Sequence, residues 1–166
     1  ARQLLADTYT QLGYQAESGP WRNFYLTGAR DLFKKDVPYT SQLINDGVLA
    51  QMDMGTLLDY CAIQLNGKKA AGKEAVININ FTDTKEKVML MLNNEVLNHR
   101  LDSQDKKADL TLEIAKMDFV KLFFGRTDLQ TLLKTNKVRT TGNTKAMEVI
   151  CSAYEPADPN FKIVLP

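Results

Sequence analysis

The strongest constraint on the fold lies between Ala75 and Ile114, where apolar side chains recur at strand spacing. Ala75–Phe81 alternates, with Ile77, Ile79 and Phe81 on one face and Asn78 and Asn80 on the other. Val88–Leu92 is apolar throughout, the pattern of a strand covered on both faces. Asn93-Asn94 suits a hairpin turn, because asparagine tolerates positive φ. Val96–Leu101 and Leu110–Ile114 are two further strands, and the four together read as an antiparallel meander. Lys137–Thr141 reads as a fifth strand. The expected class is α+β: a five-stranded, mainly antiparallel sheet covered by helices and preceded by a helical pair.

The helical pair occupies 1–33. Leu4, Leu5, Thr8 and Leu12 share one helical face, and Gly13 suits a C-cap. Pro20 suits a first helical position, after which Trp21, Phe24, Tyr25, Gly28 and Leu32 form a stripe at helical spacing. Two helices of this length cannot bury such aromatics alone, so they call for more of this chain, a further domain or a second subunit. Because helix begins almost at Ala1, with no Met, the start reads as a cut through something larger. Residues 34–53 read as a linker, since Lys34-Lys35-Asp36, Pro38 and Asn45-Asp46-Gly47 break regular structure.

Residues 54–166 carry a complete pattern of their own. Met54, Leu57, Leu58, Cys61 and Leu65 mark an amphipathic helix ended by Asn66-Gly67. After the four strands, Lys116–Phe124 is a helix stopped by Gly125. Thr127-x-x-Gln130 opens another as a capping box. Asn143 caps a last helix whose inner face holds Ala146, Val149, Ile150 and Ala153. Phe161, Ile163 and Leu165 share a face of an extended tail.

Charge and motif content narrow the function. The net charge is +1 from 21 basic and 20 acidic residues, well mixed, so no basic field waits for a nucleic acid. No apolar stretch reaches the roughly 18 residues of a membrane span, and an export leader would have to lie outside this sequence. Cys61 and Cys151 sit on or beside apolar helical faces and read as buried free thiols. The single histidine, His99, shares a strand face with Leu97 and Leu101 and has no second ligand nearby in sequence. Gly67-Lys-Lys-Ala-Ala-Gly72 reads as a solvated turn, with contact to an anionic head group as the alternative. Asp83 and Glu86 sit in a charged turn. No catalytic or metal-binding residue is expected, and no phosphate- or dinucleotide-binding motif occurs.

What stands out is soft apolar material. Met89 and Met91 share a strand face, while Met117 and Met147 lie on helices expected to cover the sheet, with Phe119, Phe123 and Phe124 beside them. Thioethers and rings of this kind either line a cavity that adapts to an alkyl chain or fill a closed core. The candidate binding residues are Phe81, Met89, Met91, Met117, Phe119, Phe123 and Met147.

A resemblance weighs between these readings. Leu12-Gly-Tyr-Gln-Ala-Glu-Ser-Gly-Pro-Trp-Arg-Asn-Phe-Tyr-Leu-Thr-Gly-Ala29 resembles the end of the dimerisation domain of bacterial alkyl sulfatases, which hydrolyse dodecyl sulfate. Met52-Asp-Met-Gly-Thr-Leu-Leu-Asp-Tyr60, Gln64-Leu-Asn-Gly67, Ile79-Asn-Phe-Thr-Asp-Thr84 and Phe161-Lys-Ile-Val-Leu-Pro166 resemble their carboxy-terminal domain, which is similar to sterol carrier protein type two. The resemblance implies a division at 1–33 (end of the dimerisation domain), 34–53 (linker) and 54–166 (sterol-carrier-like alkyl-binding domain). It implies a homodimer, an alkyl sulfate or fatty alcohol as ligand, and a periplasmic or secreted location, with the cytoplasm as the alternative. It also implies an amino-terminal catalytic domain with two zinc ions held by a His-x-His-x-Asp-His motif. That motif is absent here, so no cofactor is expected in this chain. A dimer-stabilising module with a closed core is the alternative function, and a free-standing lipid carrier a third.

Overall fold

A computed structural model describes residues 1–33 and 45–156, which fall into two compact units: the helical pair and an α+β layer. The expectations for Lys34-Lys35-Asp36, Pro38, Phe161, Ile163 and Leu165 fall outside the described residues.

The pair comprises α1 (Arg2–Gln15) and α2 (Gly19–Phe33). Gly13, expected to end α1, lies inside it and is buried. The reason is close approach: a Cβ at Gly13 would stand 2.7 Å from Leu26 Cδ2 of α2. The helices meet where Gly13 faces Leu26 and Tyr9 lies 6.1 Å from Tyr25, and the buried residues of the pair are small: Ala6, Gly13, Gly28 and Ala29. The large apolar side chains point elsewhere. Leu4 is 72% exposed and Trp21 62%, with Leu5, Leu12, Phe24 and Phe33 also exposed.

The layer is built on β1 (Ala75–Phe81), β2 (Lys87–Asn93), β3 (Val96–Leu101), β4 (Leu110–Ile114) and β5 (Val138–Gly142), in the order β3-β2-β1-β4-β5. The meander expectation holds for the first three strands and fails for the fourth, because β4 returns across the sheet to pair parallel with β1, Ile77 opposite Leu110 and Phe81 opposite Ile114. The sheet is therefore mixed. The physical reason is burial. Leu110, Leu112 and Ile114 are all essentially inaccessible and need a central position, whereas β3, with Val96 and Leu101 half exposed, suits an edge. The β2–β3 turn sits one residue later than expected, on Asn94 and Glu95, whose φ values of 48° and 65° meet the two-residue hairpin requirement.

One face of the sheet carries Ile77, Ile79, Phe81, Val88, Leu90, Leu92, Leu110, Leu112 and Ile114, and packs against the helices. These are α3 (Asp46–Gln51), α4 (Met54–Ile63), α5 (Gly67–Ala70), α6 (Lys116–Phe123), α7 (Leu129–Lys134) and α8 (Lys145–Ser152). Several local expectations are corrected. Asn45-Asp46-Gly47, in the segment 34–53 read as linker, opens α3: Asn45 Oδ1 accepts the Val48 N–H, and Leu49 inserts into the core. Asn66 does not end α4 but caps α5, so the Gly67–Gly72 turn is partly helical and buries Ala70. Helix α7 is capped by Asp128 rather than Thr127, through the Thr131 N–H and hydroxyl.

The opposite face is crossed by residues 102–109, which carry the chain from β3 to β4. Asn78, buried on this face, donates to Asp105 O at 2.7 Å and accepts the Asp105 N–H at 3.0 Å. Asp109 then exchanges main-chain and carboxylate bonds with Val76, which starts the parallel register.

Gly142 closes β5 against this crossover with φ of 106°, and a Cβ there would lie 2.4 Å from Asp109 O. Gly142→Ala should lower unfolding free energy by about 2 kcal/mol through strain and collision. Urea denaturation checks this, and an unchanged midpoint would show that the turn relaxes freely.

Candidate functional site: an aromatic run through the helical layer

The residues singled out by sequence do not form one group. Phe81, Phe119, Phe123 and Met147 are buried together in the core beneath the helices, and Met117 packs on its margin. Met89 and Met91 face the other way. Met89 pairs with Asn78 and Met91 with Val76, so both side chains stand on the face crossed by residues 102–109. An all-apolar strand such as Val88–Leu92 gives no alternation from which to read its face, which is why the two methionines were grouped with the phenylalanines.

A continuous series of rings runs from the sheet outward. Phe81, at the end of β1, meets Phe119 edge-on with centroids 5.7 Å apart. Phe119 and Phe123, one turn apart on α6, are 6.1 Å apart. Phe123 contacts Phe124 at 5.3 Å and Tyr154 at 6.0 Å, Phe124 contacts Tyr154 at 5.3 Å, and Tyr60 of α4 lies 5.7 Å from Phe124. Spacings of this order are those of favourable edge and tilted ring pairs. Exposure rises along the series: Phe119 and Phe123 are 0% exposed, whereas Phe124, Tyr60 and Tyr154 are only partly buried. Partial burial, with Tyr60 next, raises the Tyr154 phenol above its usual value, and nearby Arg126 acts in the opposite direction. Tyr60 and Tyr154 escaped the sequence reading because Tyr154 follows the last helix and Tyr60 adjoins an unbroken aliphatic stripe.

Helix α3 closes over part of α6. The buried Lys116, first residue of α6, donates through Nζ to Ala50 O at 3.0 Å and to Met52 O, carbonyls at the end of α3. Cations suit a helix carboxyl end. Asp46, at the other end of α3, pairs with Arg126 Nη1. The Lys116 main-chain N–H donates to both carboxylate oxygens of Asp83, so this turn residue caps α6 from a distance.

Chemistry at these groups is limited. Cys61 and Cys151 are free thiols, each pushed up to about 12 by burial, far from thiolate formation at neutral pH. His99 Nδ1 lies 3.7 Å from Asp59 Oδ1. Among the described residues no three His, Cys, Asp or Glu side chains gather to hold a metal. No described helix is long and apolar enough to cross a membrane.

Residues 42–166 match the family described as alkyl sulfatase C-terminal, and residues 1–35 match alkyl sulfatase dimerisation. This chain belongs to the alkyl sulfatase family. A linear primary-alkylsulfatase from a Pseudomonas species is 37% identical over the whole chain, and an (R)-specific secondary-alkylsulfatase from the same genus is 34% identical. The solved structure of the stereoselective inverting sec-alkylsulfatase Pisa1 from Pseudomonas superposes on 98% of this chain with a TM-score of 0.85 at 32% identity, covering 26% of that protein. The chain spans about a quarter of the length of the curated relatives it matches.

The helix that carries Tyr60 begins at Asp53, whose carboxylate accepts the Thr56 N–H at 2.9 Å and the Thr56 hydroxyl at 2.7 Å. These two bonds hold the Asp53 carboxyl below its usual 3.8. A depressed folded value means that the stabilisation is complete above the usual value and is lost as pH falls through the folded one. Asp53→Ala should therefore lower the thermal midpoint at neutral pH, and the gap to wild type should narrow as the pH drops below the usual carboxyl range. A gap that stays constant into acid would show that the charge contributes nothing.

Proposed function

We propose that the layer domain of this alkyl sulfatase chain receives the alkyl tail of a sulfate ester, or of the fatty alcohol released from it, on behalf of a zinc-dependent catalytic domain outside this chain. The aromatic run from buried Phe81 to half-buried Tyr60 and Tyr154 carries this reading. It offers an unbroken apolar path between the sheet and the helix surface. Each methylene moved from water onto such a path contributes roughly 0.8 kcal/mol, so a chain of ten to twelve carbons needs no charged partner to bind usefully. The relatives' names speak of alkyl sulfatase activity in those proteins, and the same substrate class is proposed here. The helical pair, which matches the family's dimerisation region and exposes Trp21, Phe24 and Leu4, is assigned to a homodimer contact.

Full burial of Phe119 and Phe123 favours a second reading, in which the layer is a closed core that stabilises the parent dimer. Binding separates the two. Dodecanol should displace a fluorescent fatty-acid analogue from the chain saturably and in the micromolar range, and a folded chain that binds neither leaves only the structural role. Phe123→Asp is a poor probe, since a carboxylate at a fully buried site unfolds the core. Tyr60→Ala and Phe124→Ala, at the partly buried end, should weaken dodecanol binding about tenfold or more, while Met91→Ala, on the other face, should leave it unchanged. Equal affinity in all three variants would remove the aromatic run as the site.

A further inference from the structure

Helix α3 combines, within one turn, the two features of an anionic single-chain amphiphile. Asp46 places a carboxylate on Arg126, and Leu49, three residues on and about 4.5 Å along the axis, is inserted in the apolar core. Arg126 stands three residues past the end of α6, with its N–H bonded to Lys121 O at 2.8 Å, so its base is fixed while its guanidinium is about half exposed. It stands two residues after Phe124, a member of the aromatic run, and its charge opposes the effect of burial at the Tyr154 phenol. The Asp46–Arg126 pair is open to solvent on both sides, with side-chain exposures of 56% and 46%. An exposed pair of this kind is weak and exchangeable, and a sulfate offers the guanidinium the same bonding geometry.

We propose that α3 is an internal stand-in for the ligand. An anionic amphiphile binds by placing its head group on Arg126, where Asp46 now sits, and its first methylenes in the seat of Leu49, with α3 displaced and the rest of the chain laid along Phe124 and Tyr60. This rests on the alkyl-binding reading above and adds to it a head-group contact and a gate. When α3 leaves, Lys116 exchanges the carbonyls of Ala50 and Met52 for water or for the head group, so no buried cation is stranded.

The test is calorimetric titration of the 166-residue chain with decyl sulfate, decanoate, decanol and decyltrimethylammonium, all below micelle formation. Decyl sulfate should bind more tightly than decanol, and Arg126→Gln should reduce that preference about tenfold, the loss of a charge-assisted contact. Asp46→Asn, which removes the internal competitor, should strengthen decyl sulfate binding about threefold, and should do nothing for the cationic amphiphile. Both residues are half exposed, so the variants fold. Decanoate distinguishes a site that reads any anionic head from one that needs the sulfate oxygens. Hydrogen exchange supplies the second readout. The Leu49 and Met52 amides, now bonded to Asn45 O and Val48 O, should exchange faster in the presence of decyl sulfate. An unchanged sulfate preference in Arg126→Gln, or α3 amides that slow or stay constant on binding, overturns the proposal. Decanol binding without any head-group preference would overturn it while leaving the alkyl-binding reading intact, and absence of binding by every ligand would overturn both.

Discussion

Strand β1 is hydrogen-bonded on both edges, antiparallel to β2 and parallel to β4, so its side chains alone decide what covers its two faces. On one face they are Ile77, Ile79 and Phe81, and helices cover them. On the other, Asn78 is too polar for an apolar lid and too central for water. Its amide is satisfied by the main chain of Asp105, one bond given and one received. That reciprocal pair fixes the path of the crossover, the crossover brings Asp109 to Val76, and Asp109 sets the parallel register of β4. Without a partner for the Asn78 amide the buried group would be costly, and the strand order that places the layer's own helices on the opposite face would lose its anchor.

The consequence is a division of labour between faces. The face covered by the crossover is tied by amide and carboxylate bonds and leaves Met89 and Met91 packed beside them. The helical face is held by apolar contact and ring packing, with few polar bonds except at its margins. Those margins are cationic. Lys116 and Arg126, ten residues apart, bracket α6 and hold the two ends of α3. The segment that enters the layer is thus fastened at two polar points and one apolar one, Leu49.

Much of this was legible in the sequence and part of it was not, for definite reasons. Alternation at Ala75–Phe81 and the glycine and asparagine breaks located all five strands and most helices to within a residue or two. Family membership was legible too, in the Leu12–Ala29 and Met52–Tyr60 motifs. Parallel pairing of β4 was invisible, because Leu110, Leu112 and Ile114 alternate identically in either direction. What selects the direction is Asn78, whose partner is a main-chain group with no sequence signature. The face of Met89 was lost in an unbroken apolar run. Helix α3 was missed because Asn45-Asp46-Gly47 serves equally as a turn and as a helix start, and only the distant Lys116 and Arg126 make it a helix. In the pair α1–α2 the large residues read as stripes seeking cover, whereas the buried ones are small, and Gly13 makes a close approach to Leu26.

A closed aromatic core and an alkyl-binding role are compatible only if some element can leave at lower cost than the ligand recovers. Parting α6 from the sheet would expose Phe119 and Phe123, and removal of either buried ring is on the scale of 3–5 kcal/mol by analogy with truncation. A decyl chain contributes roughly 8 kcal/mol on burial, and immobilising it removes at least about 4. The remainder, near 4 kcal/mol, cannot open α6. Releasing α3 exposes one leucine, worth about 1.5–3 kcal/mol, exchanges the Ala50 and Met52 carbonyls on Lys116 for water or the head group, and trades one exposed ion pair for another of the same kind. Only that route leaves a favourable balance, and it leaves a small one. Weak binding, far from nanomolar, is what such a balance allows, and it suits the proposed role: a tail held weakly enough to be released is a tail that a catalytic domain could take.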